Sequence, residues 1–259
     1  MEPVSALGAF ASLTLIALAV GISLWMRLGI ERSIVWAALR AAVQLLAVGA
    51  VFRLIFDSAQ APIYSGLWII GMILVATFVA NHRAKGIRRL WPFALLSISG
   101  SAGIALAVVF GFDVIEVSPV NMVVIAGITI GNTMPATVLA INRAAAYFTD
   151  HPGRIEALLA LGFDQRQTAR FVAPLTARTA LIPQIERTKV VGLIALPGAM
   201  TGLLLAGVEP VDAVVVQLIV MYLILGAVAL SVAVVTTATV TSALSSGLRL
   251  PDWSRQPIR

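Results

Sequence analysis

An all-α polytopic membrane protein with about seven transmembrane helices is the fold class this sequence predicts, and three observations predict it. Of 259 residues, 59% are hydrophobic and only 12% charged, with a mean hydropathy of +0.98. A soluble domain carries about 25% charged residues. The apolar residues fall into seven runs, each long enough to cross a hydrocarbon core of about 30 Å. Between the runs, the loops alternate in the sign of their charge.

The spans are expected at Val4–Met26, Ser33–Phe56, Pro62–Ala80, Trp91–Phe110, Pro119–Ile141, Val190–Gly207 and Val211–Ala243. The first lacks a basic stretch before its apolar run, so it reads as a retained span rather than a cleaved signal. The sixth, rich in glycine and proline, is either a full span or two half-helices. The last is long enough to tilt or to project from the membrane. No repeat or linker divides the chain, so residues 1–259 read as one transmembrane domain.

Loop charges set the orientation. Arg27 and Arg32 lie in the first loop, and Arg83, Lys85, Arg88 and Arg89 in the third. Arg249, Arg255 and Arg259 lie in the tail. The even-numbered loops carry Asp57, Asp113, Glu116, Glu209 and Asp212, with Arg53 the one basic residue near that side. The positive-inside rule puts the odd loops and the C-terminus in the cytoplasm and the N-terminus outside. The net charge of +6 is therefore topology and names membrane lipid, not nucleic acid, as the surrounding partner. With no cysteine in the chain, disulfides, iron–sulfur clusters and thiolate metal sites are excluded.

The one long polar interval, Asn142–Lys189, forms the fifth loop and holds seven of the eighteen basic residues. Its centre reads as two short helices meeting at a glycine, a helical elbow on the cytoplasmic side. Asp150 is expected to cap the first, with Pro152 in its opening turn. Gly162 suits the left-handed position that ends it. Asp164 with Gln167 approximates a capping box for the second helix, which Pro174 bends or ends. Ile155, Leu158, Leu159 and Phe163 would share one face, as in a helix that docks.

Polar residues inside the spans are the candidates for a transport pathway. Arg40 and Gln44 lie one turn apart in span two; an intramembrane arginine faces protein or water, so it is either a pathway residue or an interhelical clamp with Gln44. In span five, Gly127 and Gly131 permit close helix approach. Asn132, Thr133 and Met134 follow, and Pro135 deprives the carbonyl near Gly131 of its helical partner. That makes either a cavity-lining break or a packing kink. Pro197 and Gly198 argue for an interrupted sixth span, beside which Met200 and Thr201 either touch a solute or merely pack. Gln217 is a buried polar group of the last span, a ligand or a helix–helix hydrogen bond.

Enzymatic motifs are missing: there is no H-E-x-x-H, G-x-S-x-G or P-loop. The two histidines, His82 and His151, fall in loops and make no metal cluster. Apart from Asp212 at the very edge of the last, the spans hold no carboxylate, so a proton relay through them is missing. A chain of this kind hydrolyses no ATP itself and binds no cofactor of its own.

The elbow resembles the coupling loop of ABC transporter permeases, roughly E-A-A, three residues, G, nine residues, I-x-L-P. Here Glu156-Ala157-Leu158, three residues, Gly162, nine residues and Val172-Ala173-Pro174-Leu175 fit that spacing, with the proline one position early. More widely, the chain resembles the FetB-type iron-export ABC transporter permease family and the similar plant aluminium-tolerance permeases. The matching blocks are Arg40-x-x-x-Gln44-Leu45-Leu46, Gly131-Asn132-x-Met134, Ile155-Glu156-Ala157 through Gly162, and Ala180-Leu181-Ile182-Pro183. Gly192-Leu193-x-x-Leu196-Pro197-Gly198-x-Met200-Thr201-Gly202 to Ala206-Gly207 completes them. The family tends to have Asn, Met and Gln where this chain has Pro135, Ala199 and Leu203.

The resemblance implies a permease of the bacterial inner membrane that exports a metal ion such as iron. It also implies a cytosolic ABC ATPase partner, which would hold ATP and Mg, and a permease homodimer. Arg154, Glu156, Ala157, Gly162, Arg166 and Arg170 would then form the ATPase-coupling surface. Arg40, Gln44, Asn132, Thr133, Met134, Met200, Thr201 and Gln217 would border the substrate pathway. Gly131, Pro135, Pro174, Pro183, Pro197 and Gly198 would serve as structural hinges. The rival reading is an ATP-independent channel or secondary transporter for a small solute.

Overall fold

The computed structural model describes residues 6–84 and 90–244, the first seven of these by backbone only. Lys85, Arg88, Arg89, Arg249, Arg255 and Arg259, used above for orientation, lie outside the described residues. Nine α-helices and no β-strand occur within them. They divide into two compact units after Ala61.

The N-terminal unit is a helical hairpin of α1 (Ala6–Met26) and α2 (Glu31–Phe56). Ser23 Oγ donates to Glu31 Oε1 at 2.8 Å across the turn. Both helices leave most of their leucine, valine and tryptophan side chains exposed, Trp25 and Leu46 among them. Lipid suits such faces, because hydrocarbon neither gains nor loses by meeting them.

The second unit comprises α3 (Ala61–Arg83), α4 (Trp91–Gly111), α5 (Pro119–Asp150), α6 (Pro152–Ala160), α7 (Gln165–Lys189), α8 (Gly198–Leu205) and α9 (Pro210–Ala243). Of all these helices, α2, α3, α4, α5 and α9 are long and apolar enough to cross a membrane. The 32-residue α5 and 34-residue α9 would each be about 50 Å long, so both overreach a hydrocarbon core by roughly 15–20 Å. They run side by side in the same direction. Thr137 meets Ser231 midway at 2.8 Å, and Phe148 and Val240 share one cluster at the far end. Ser97 of α4 bonds both the hydroxyl and the carbonyl of Ser231, the latter at 3.0 Å. A buried polar knot thus pins α4, α5 and α9 to one register.

Three expectations change. The sixth span is no continuous helix: residues 190–197 form a turn in which Gly192 N donates to Ala195 O at 2.9 Å, and α8 has only eight residues. At about 12 Å such a helix cannot cross, so the segment is a turn followed by one short helix, neither a full span nor two half-helices. Pro174 and Pro183 do not end the second elbow helix, and Pro135 does not break α5; all three sit inside helices that run on. Each proline removes only the bond to the carbonyl four residues back, and packing of α5 and α7 on α9 carries the helices past that gap. Lastly, Asp150 ends α5 rather than capping α6, whose N-cap is His151 without a side-chain bond.

Candidate functional site: an elbow and a cavity joined by one helix

The elbow forms for local reasons. Gly162, at φ +83°, ends α6: its N–H bonds Leu159 O at 3.0 Å and Phe163 N–H bonds Leu158 O at 3.1 Å. This paired closure is the Schellman motif, and its left-handed residue favours glycine. Two residues on, Asp164 accepts from Gln167 N at 2.7 Å while Gln167 Oε1 accepts from Asp164 N at 2.9 Å. That completes the expected capping box and starts α7.

Ile155 and Leu158 are buried, with Leu159 and Phe163 packed beside them, against Phe148 of α5, Val172 of α7 and Val240 of α9. The apolar face of α6 therefore docks on its own bundle. Its other side, with Glu156, Ala157 and Leu161, is exposed. Arg154 is exposed too, its guanidinium 5.6 Å from the centre of the Phe171 ring. Arg166 and Arg170 line a separate groove between α7 and α9 that runs past Pro174 to Ala233 and Thr241.

From the elbow, α7 returns antiparallel to α5 as far as midspan. Arg187 Nη1 donates to Asn132 Oδ1 at 3.4 Å. The elbow proper is short, and the last turn of Asn142–Lys189 lies alongside the middle of α5. Asn132 stands 13 residues from Pro119, about 20 Å along the helix.

Here a cavity of about 420 Å³ opens among α5, the end of α7, the 190–197 turn, α8 and α9. Asn132, Gln184, Arg187 and Gln217 supply its polar side chains; Pro197, Gly198, Ala199, Val220 and Met221 are among the rest. Gln217, only 4% exposed, accepts from Met200 N at 3.2 Å and so ties the start of α8 to α9. Asn132 Nδ2 donates to Ile128 O at 2.7 Å, which fixes its amide.

Of the sequence candidates, Asn132, Gln217, Pro197 and Gly198 meet at this cavity. Thr133 does not line it: it is fully buried and bonds Ile130 O at 3.2 Å. Met134, Met200 and Thr201 are half-buried outside the lining, and Thr201 Oγ1 turns back to Pro197 O at 3.1 Å. Gly131 and Pro135 are exposed on α5. Arg40 and Gln44 are exposed on α2, in the N-terminal unit. Gln184 and Arg187 were not expected here. Their signal was present in the three-residue spacing just after Pro183, but the density of cytoplasmic-type charge around it hid it. Of the three departures from the family pattern, Ala199 lines the cavity and Pro135 and Leu203 do not. Among the described residues no group of three metal-ligating side chains occurs.

Long apolar helices around a midspan polar cavity define a multi-pass membrane permease of the cell membrane. Residues 6–244 match the model of the Uncharacterised protein family (UPF0014), and the chain belongs to that family. It is 34% identical over 211 residues to the Escherichia coli (strain K12) protein named "Probable iron export permease protein FetB", covering 82% of this chain and 81% of that one. It is 34% identical over 215 residues to the Oryza sativa subsp. japonica UPF0014 membrane protein STAR2, covering 82% and 74%. Against the Arabidopsis thaliana protein ALUMINUM SENSITIVE 3 the identity is 32% over 215 residues, covering 82% and 77%. No solved structure matches.

Proposed function

We propose that this chain is the membrane-spanning subunit of an ATP-driven ABC transporter, works as a homodimer, and moves a metal such as iron out of the cell. A separate cytosolic ATPase, carrying ATP and Mg, docks on the exposed side of α6. The observation that carries the reading is the continuity of α7. One helix begins at the capped elbow, where Ile155 and Leu158 hold α6 rigidly to the bundle, and ends at the cavity with Arg187. A push on α6 is delivered through a rigid lever to the place where a solute would sit. The 190–197 turn beyond it, tied by few bonds, lets the cavity wall move. The name of the FetB relative supports metal export, and the elbow spacing supports the ABC class.

The experiment is affinity purification of the tagged protein from its own cells in mild detergent, with co-eluting proteins identified by mass spectrometry. An ATPase that accompanies the native chain and is lost from a membrane-inserted Gly162→Glu variant supports the reading. Solute transport with no ATPase under any gentle condition would put an ATP-independent transporter in its place.

A further inference from the structure

Among the described residues, Arg187 is the only charged one lining the cavity. The nearest acid in sequence, Glu186, is bonded to Lys189 at 2.8 Å and does not line it. Arg187 makes no ion pair among the described residues; its one polar contact is the long bond to neutral Asn132. The Arg187 side chain is exposed, so water can meet its charge, and the apolar walls of the cleft beside it enlarge the field it casts into the cavity.

The other polar groups point the same way. A borderline transition metal seeks carboxylate, imidazole or thiolate, and the lining offers none. The amide oxygens of Asn132 and Gln217 already accept from Arg187 and Met200 N. The one full charge in the lining is the guanidinium fork of Arg187; the NH₂ groups of Gln184 and Gln217 add donors, and the Gln184 amide also brings a neutral acceptor oxygen. Gly198 and Ala199 add the first turn of α8, whose N–H groups have no partner inside a helix. The volume, about 420 Å³, is that of a small-organic site rather than of one dehydrated ion.

We propose that this cavity takes an anion of small-organic size, free or as a negatively charged metal complex, and excludes a bare metal cation. The proposal rests on the permease reading for its meaning as a cargo site, but its test does not. The chain has no cysteine, so Ala199→Cys gives a single thiol in the cavity wall. Its labelling rate is measured in full-length protein with two methanethiosulfonates, one bearing a sulfonate and one a trimethylammonium, each normalised to a free thiol in solution.

The sulfonate reagent is expected to be favoured by about tenfold, the low end of focusing by a charged cleft. Arg187→Gln removes that preference and Arg187→Lys retains it. A preference for the cationic reagent, equal rates, or a ratio untouched by Arg187→Gln overturns the proposal. Protection of the thiol by citrate assigns a free anion, and protection by ferric citrate alone assigns a metal complex. Protection by ferrous ion alone, or by none of the three, overturns it. Because labelling needs no ATPase, absence of an ATPase partner with the anion preference intact fails only the ATP-driven reading. The reverse result fails only this one.

Discussion

Gly162 shows how one residue shapes the turn between α6 and α7. At φ +83° a side chain is strained even though nothing lies within 4 Å of where its Cβ would sit. Gly162→Ala should therefore cost roughly 1–2 kcal/mol, and Gly162→Asn distinctly less, since Asn tolerates this conformation. Thermal unfolding of the detergent-purified variants reads the difference; equal losses would point to sterics rather than backbone. Ser231 offers a second residue-scale test. Its hydroxyl joins Ser97 and Thr137 inside the bundle. Interhelical hydrogen bonds in membranes average only about 0.6 kcal/mol, with a maximum near 1.7. Ser231→Ala should fall in that range, read by the same unfolding measurement, and a loss above it would mean that the knot holds more than its own bonds. Nothing in the sequence announced this knot, because isolated serines and threonines in apolar helices carry no periodic signal; only the packing of α4 on α9 brings them together.

Among the elements, α6 and α7 carry the account. The docking face of α6 was legible because Ile155, Leu158, Leu159 and Phe163 have helical spacing, and the capping box was legible in Asp164 and Gln167. The extent of α7 was not. Pro174 was read as bending or ending the second helix, but packing on α5 and α9 carries the helix on to Lys189. A proline costs about 3 kcal/mol relative to alanine in an exposed helix interior, so Pro174→Ala with Pro183→Ala should raise the unfolding temperature. If these prolines give α7 a working bend, the same pair lowers ATP turnover by the assembled complex; higher stability with undiminished turnover would make them passive. Leu161, 76% exposed beyond α6, belongs to the face proposed above to dock the ATPase. Leu161→Asp should leave unfolding unchanged within about 0.5 kcal/mol, as for a surface site. It should also reduce recovery of the ATPase in affinity purification.

For the whole molecule, five long apolar helices make the membrane assignment, and composition alone conveyed it. Orientation rests on loop charge, part of which lies outside the described residues. It predicts that Gly153→Cys, at the start of α6, reacts with a membrane-impermeant thiol reagent only from the cytoplasmic side, and Phe112→Cys, just past α4, only from the other. The converse pattern would invert the molecule and remove α6 from any cytosolic ATPase. The broken sixth span was legible as an alternative because Pro197 and Gly198 interrupt it. The cavity was half legible: Asn132 and Gln217 stood out as polar groups in apolar spans, whereas Gln184 and Arg187 reach it only through tertiary packing.

The central claim is that force applied at α6 alters the cavity at the other end of α7. The most direct measurement is the labelling rate of Ala199→Cys in oriented membranes containing the ATPase partner, without nucleotide and with ATP, Mg and vanadate. The account predicts that nucleotide lowers accessibility from one side and raises it from the other, and that Gly162→Glu abolishes the shift. Equal labelling from both sides in every nucleotide state would contradict it.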